Sequence, residues 1–381
     1  MKIEKILLIL FVISLILSSS AIYLVISYSS IISDLSANIK NLSSTLENVT
    51  STLGSVTSEI GRISGRLEAL EKPPKFPVTV VDALGRTVVI NSEPKRIVSM
   101  APSITEMLFA LGLGDRVVGV TSFCNYPPEV LDRVEKGEIK VIGGFSNPSV
   151  EKIVALKPDL VIGCEIHERV IYQLESLGLT VLIVGSESVD DIYKAILIIG
   201  KATGVYETSL ELINEMKESI KDTWVKVQNA TKPKVLIIVW LEPLWVAGVR
   251  TYMSDLIELA GGVNAYTGEG WTSVGPESLI AINPDIIIIT GHAAPGKSPD
   301  EIVKYLEESV PGWENISAVM NNRVYFFIDE AEDALVRPGP RIARAVRILS
   351  MILHPEIFGV EVEHIIREVG LIALTLNEWV C

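Results

Sequence analysis

One segment of twelve residues occurs twice, as EKIVALKPDLVI over 151–162 and as ESLIAINPDIII over 277–288. The copies stand 126 positions apart and differ in kind only at Lys152/Ser278 and Lys157/Asn283. Each reads as a helix, a Pro-Asp turn and a short apolar run suited to a buried strand. A unit of this kind must bury its apolar faces against further layers, so its recurrence predicts two similar α/β lobes with a cleft between them. In such a unit the helix starts on the side where the strands end. Glu151 and Glu277, which open the two helices, therefore fall on the carboxyl edges of their sheets, where ligands bind in open α/β folds. Six residues before each glutamate stands an aromatic, Phe145 and Trp271. Two aromatics on a cleft rim suit a large, flat or greasy ligand; the alternative is that each caps the core of its own lobe.

The rest of the chain fits this frame. Residues 78–90 read as two strands joined by a turn at 82–85. Apolar runs at 96–100, 117–123, 140–144, 159–163 and 180–185 alternate with helical stretches, as a parallel sheet requires. A helical stretch over 189–229 is long for a crossover and is expected to join lobe 1 (78–188) to lobe 2 (230–358) as one helix.

The N-terminal end is different. Lys2 and Lys5 precede an apolar run of 21 residues, Ile6 to Ile26, and about 20 suffice to cross a bilayer as a helix. The expectation is a single-pass anchor over 1–28, with the positive end inside and the globular part outside the cell. A cleaved signal peptide is the alternative, and the lack of a cysteine after the run argues against a bacterial-type lipid anchor. From Ile32 to Leu70 apolar residues follow in steps of 3 and 4, a heptad seam that predicts a coiled-coil stalk over 29–71 and its self-association. Prolines 73, 74 and 77 make residues 72–77 a stiff linker. Residues 359–381 form a tail with no assigned role.

Composition excludes several functions. A net charge of −14, without a basic stripe, argues against nucleic acid as a partner. Three cysteines (Cys124, Cys164, Cys381) are too few for a disulfide framework and lack metal spacing; Cys124 and Cys164 could pair or stay free. The four histidines, His167, His292, His354 and His364, do not cluster as a zinc or manganese receptor requires. His167 and His292 follow strand ends and could each ligate iron or cobalt axially, with a solvated loop histidine as the alternative. No nucleophile elbow, Walker A or dinucleotide fingerprint is present, so an enzyme is not expected.

The segments VTVVDALGRTVVINSEPKRIVSMAPSITEMLFALG, FCNYPPEV, GGFSNPSVEKIVALKPDLVI and GWTSVGPESLIAINPDIIIITG, in this order, resemble the solute-binding proteins of ABC importers for vitamin B12 and iron-siderophores. The resemblance covers 78–358 and implies two lobes, modest cleft closure, no resident cofactor, and delivery of a corrinoid or iron chelate, with haem as a further possibility. It implies ligand contacts from Tyr126, Phe145, Trp245, Trp271 and Arg337. It also implies that Glu151 and Glu277 meet arginines on the two subunits of an ABC permease, which works with its ATPase subunits. More aromatics than cations in the cleft loops favour a corrinoid.

Overall fold

The computed structural model describes residues 35–54, 56–57 and 75–359. Residues 1–72 and 73–381 are separate compact units. In the first, residues 35–54 form one helix, α1. Its seam residues Leu35, Ile39, Leu42, Leu46, Val49 and Leu53 are all exposed. Apart from residues 56–57, the rest of the expected stalk, the expected anchor over 1–28, part of the linker and the tail beyond Gly359 lie outside the described residues.

The second unit opens with the hairpin of β1 (Val78–Val81) and β2 (Thr87–Ile90), in which buried and exposed residues alternate. Lobe 1 then runs β3 (Ile97–Ser99), α2 (Pro102–Ala110), β4 (Val117–Val120), α3 (Glu129–Glu135), β5 (Lys140–Val141), α4 (Val150–Ala155), β6 (Leu160–Gly163), α5 (Glu168–Ser176) and β7 (Val181–Ile183). Its sheet has the order β5-β4-β3-β6-β7, and every pair is parallel. The connector differs from the single helix expected over 189–229. It is two helices, α6 (Val189–Thr203) and α7 (Tyr206–Val227), because Gly204 adopts φ 84° and ends α6 with a left-handed cap. The two helices pack closely: a Cβ on Gly200 would lie 2.5 Å from Ser209.

Lobe 2 contains β8 (Lys234–Leu241), β9 (Leu244–Ala247), α8 (Tyr252–Leu259), β10 (Val263–Asn264), β11 (Trp271–Ser273), α9 (Pro276–Ile282), β12 (Ile286–Thr290), α10 (Pro299–Ser309), α11 (Ser317–Met320), β13 (Val324–Phe327), α12 (Asp329–Val336), α13 (Ile342–Leu353) and α14 (Pro355–Phe358). Its sheet order is β11-β9-β8-β12-β13, with β10 beside β8; β12 and β13 run parallel to β8, and β9 and β11 add an antiparallel edge. Both sheets are covered on both faces. Along β12, Ile286 and Ile288 join a core that continues through α6 and α7 into lobe 1, while Ile287 and Ile289 join a second core on the other face.

The repeat is conformational as well as chemical. Lys157 and Asn283, equivalent positions that differ in kind, both adopt positive φ, 46° and 42°. Each following aspartate ties its turn to the start of the central strand. Asp159 accepts hydrogen bonds from the Lys95 and Arg96 amides, both at 2.9 Å, and Asp285 accepts from the Lys234 amide at 2.8 Å.

The lobes meet at a buried ion cluster. Glu106, in the middle of α2, is 3% exposed. Arg341 of lobe 2 donates to both its carboxylate oxygens, at 2.8 and 2.6 Å, and Arg337 adds a bond of 3.1 Å. Arg337 also donates to Asn125 (2.6 Å) and pairs with Asp333 (2.7 Å), so groups from both lobes satisfy one another, except that the buried Arg341 Nη1 has no hydrogen-bond partner among the described residues. Removing one member of such a cluster leaves buried charge uncompensated. Glu106→Gln should therefore lower unfolding free energy by about 3–5 kcal/mol, read from denaturant midpoints. A loss below about 1 kcal/mol would mean that the cluster is screened as a surface pair is.

Candidate functional site

Between the lobes lies a cavity of about 280 Å³. Its lobe 1 wall begins at Pro102 and continues through Phe123, Phe145, Cys164 and Ser186, residues that follow the ends of β3, β4, β5, β6 and β7 in turn. Lobe 2 supplies His292, just beyond β12, and Arg337 with its neighbours at the end of α12. The cavity thus sits on the carboxyl edges of parallel strands in both sheets. Ile104, Met107, Val184 and Val336 keep the wall largely apolar. Its volume is at the lower end for small-molecule pockets, so a large ligand would project beyond it.

Of the five expected ligand contacts, the cavity brings together Phe145 and Arg337. Phe145 is positioned by His167, which is 1% exposed and packs edge-on against the ring at 5.3 Å. The His167 Nδ1 accepts from the Cys164 amide (3.1 Å) and its Nε2 donates to the Phe145 carbonyl (2.7 Å). Both ring nitrogens are therefore engaged by backbone. Arg337 lines the cavity, but its terminal nitrogens are held by Glu106, Asn125, Asp333 and the Phe123 carbonyl. Tyr126 is half-buried beneath the Arg341 guanidinium, 4.0 Å from ring centre to Cζ. Trp245 and Trp271 lie outside the cavity lining. The register of β9 with β11 pairs Ser273 with Trp245 and Trp271 with Ala247, which puts both indoles on one face of the sheet. Both are partly exposed, and Trp271 leans on Tyr252 at 5.9 Å.

Glu151 and Glu277 are both exposed in the first turns of α4 and α9. Ser149 caps the first of these helices, and Pro276 starts the second. The two described cysteines are free. Burial pushes the Cys164 thiol up to about 12, which leaves it unreactive at neutral pH.

Several site residues escaped the sequence reading: Phe123, Met107, Glu106, Arg341 and the partner of His292. That partner is Glu332, whose Oε1 lies 2.6 Å from His292 Nδ1 and 2.6 Å from the His292 amide. Gly291 makes room for it, since a Cβ there would lie 2.9 Å from the Glu332 carboxylate. A usable signal existed for Glu106, an acidic residue inside the apolar stretch ITEMLFALG; a buried carboxylate demands a cation.

Burial lowers the pKa of His167 below its ordinary 6.5, with the bonds to Phe145 and Cys164 opposing. The folded chain then binds fewer protons than the unfolded one as pH falls below that value. The contribution of His167 is full at neutral pH and is lost in acid. His167→Ala should destabilise the fold at pH 7 by at least about 2 kcal/mol, because two backbone groups lose their partner. Denaturant midpoints measured from pH 7 down to pH 5 (spanning the range below the ordinary value) should show a weaker acid slope in His167→Gln than in the parent chain.

Residues 97–331 match the family described as periplasmic binding protein. An uncharacterized ABC transporter substrate-binding lipoprotein of Bacillus subtilis is 36% identical over 301 residues, covering 76% of this chain and 90% of the relative. A cobalamin-binding protein of Halobacterium salinarum is 28% identical, covering 71% and 74%. Among solved structures, the apo periplasmic heme-binding protein of a Roseiflexus species superposes with a TM-score of 0.60 at 28% identity, covering 70% of this chain and all of that one. The expected single-pass membrane location is corrected by two findings. No helix among the described residues is long and apolar enough to cross a membrane, and the Bacillus relative is named a lipoprotein. The matched segment takes in most of both lobes, the whole connector between them and most of the residues that line the cleft, and on that ground the chain belongs to the periplasmic binding protein family.

Proposed function

We propose that this solute-binding protein of an ABC importer captures a flat metal chelate, a corrinoid or an iron tetrapyrrole, and delivers it to a permease. The observation that carries the reading is the cavity itself. Its walls are apolar and aromatic, and the nearby guanidiniums of Arg337 and Arg341 are already paired to Glu106 and Asp333. A highly anionic siderophore complex would need cations free to meet it, whereas a tetrapyrrole face is satisfied by apolar contact. The names of the Halobacterium and Roseiflexus relatives point the same way. Phe145 would pack on the ligand inside the cavity, and Trp245 and Trp271 would meet the part that projects from it.

Titration of the full chain with cobalamin and with ferric haem, followed by tryptophan quenching, tests the reading. Saturable quenching by at least one is expected, and Phe145→Ala should weaken it by about 0.5–1.5 kcal/mol. No saturable binding of either chelate, or an affinity indifferent to Phe145, overturns the assignment.

Delivery rests on Glu151 and Glu277. A carboxylate in a first helical turn is favoured by about 0.3–1 kcal/mol, which accounts for one such residue without any partner. Two exposed glutamates at equivalent turns of the two lobes suit the proposed contact with arginines on a pair of permease subunits. Such exposed charges set orientation and association rate more than affinity. Replacing both with arginine should leave chelate binding unchanged and abolish receptor-stimulated ATP hydrolysis by the reconstituted importer. Normal stimulation by the double variant would reduce the pair to helix-end residues.

A further inference from the structure

His292 and Glu332 form a buried-exposed dyad at the lobe 2 side of the cavity. The Glu332 side chain is 7% exposed and the His292 side chain 53% exposed. The carboxylate accepts hydrogen bonds from Nδ1 and from the backbone amide of the same histidine, both at 2.6 Å. This double grip fixes both the ring orientation and the tautomer. With the proton on Nδ1, the lone pair lies on Nε2, and among the described residues Nε2 has no hydrogen-bond partner. An imidazole that gives one N–H to a buried carboxylate and leaves the other nitrogen open is the arrangement in which histidines ligate metals. His167 offers the contrast, because backbone groups occupy both its nitrogens. Among the described residues no cluster of three metal-binding side chains exists, so a bare ion would lack a sufficient donor set. A chelate that arrives with its equatorial positions filled needs only one further donor.

We propose that His292 Nε2 is the axial ligand to the metal of the captured chelate, with Glu332 as its positioning residue. The inference rests on the chelate reading above and narrows it to a planar tetrapyrrole complex with an exchangeable axial site, such as ferric haem or a corrinoid lacking its lower base. On binding, a water leaves the metal and the Nε2 lone pair takes its place. No electrons are transferred, and Nδ1 keeps its proton. Complexes with both axial positions blocked gain nothing from this residue.

The test is an absorption titration of the full chain with ferric haem and, separately, with aquacyanocobinamide, each repeated after the metal is blocked with excess cyanide. The two probes distinguish an iron from a cobalt cargo. The expected result is a shift of the visible bands to those of an imidazole-ligated metal, absent in His292→Ala and restored to that variant by free imidazole. Glu332→Gln should weaken binding of the unblocked probe by about tenfold. Cyanide-blocked probes should bind the parent chain and His292→Ala alike. Saturable tryptophan quenching with unshifted bands, or bands that shift equally in His292→Ala, overturns the ligation and leaves the chelate reading standing. If neither probe quenches tryptophan at all, both readings fall together.

Discussion

The arrangement of the cleft depends on one buried carboxylate. Glu106 stands where an apolar helix would otherwise carry another hydrophobic residue, and it draws Arg337 and Arg341 across from the opposite lobe. Charges taken out of water are tolerated only when mutual geometry replaces hydration. The two arginines are therefore committed to protein groups, Asp333 and Asn125 are drawn in with them, and Tyr126 is covered by Arg341. The cationic side chains that could have made the cleft attractive to anions serve instead to register one lobe against the other. What remains to face a ligand is mostly apolar surface, with Ser103, Ser186 and one histidine.

The lobes themselves are held to a common plan by a second carboxylate, used twice. Asp159 fastens its turn to the two residues just before β3 and Asp285 fastens its turn to the first residue of β8, which sets the register of β6 on β3 and of β12 on β8. Leu160 lies opposite Ile97, and Ile286 opposite Val235. This explains why Pro-Asp survives in both copies while Lys157 and Asn283 differ: the aspartate makes a tertiary bond, and the turn residue need only adopt positive φ, a state that asparagine enters more readily than lysine.

Much of this was legible in the sequence. Hydrophobic runs, their spacing and the repeated turn were enough for two parallel-sheet lobes with a cleft on the carboxyl edges, because those features depend on short-range pattern. The break at Gly204 was not read, although a glycine after Ala202-Thr203 is the residue type that ends helices; the apolar periodicity resumes beyond it and hides the interruption. The partners of Glu106 lie 231 and 235 residues away, beyond the reach of any local pattern. Spacing from the repeated glutamate singled out Phe145, and proximity to a strand end singled out His292, but neither signal could show that the first is braced by His167 or the second by Glu332. Tyr126, Trp245 and Trp271 illustrate the same limit: an aromatic on the right edge can face a neighbouring side chain or an open sheet surface as readily as a cavity.

The paired connector bears on how a cargo gets in. Two helices pressed together at Gly200 and Ser209, and sharing a core with both lobes, cannot swing as a flexible tether does. The mouth can then widen only a little, which would shut out a bulky globular solute. A disc, however, needs a slot no wider than its own thickness if it arrives edge first. For the flat chelate proposed as cargo, a stiff connector would select by shape before any side chain selects by chemistry.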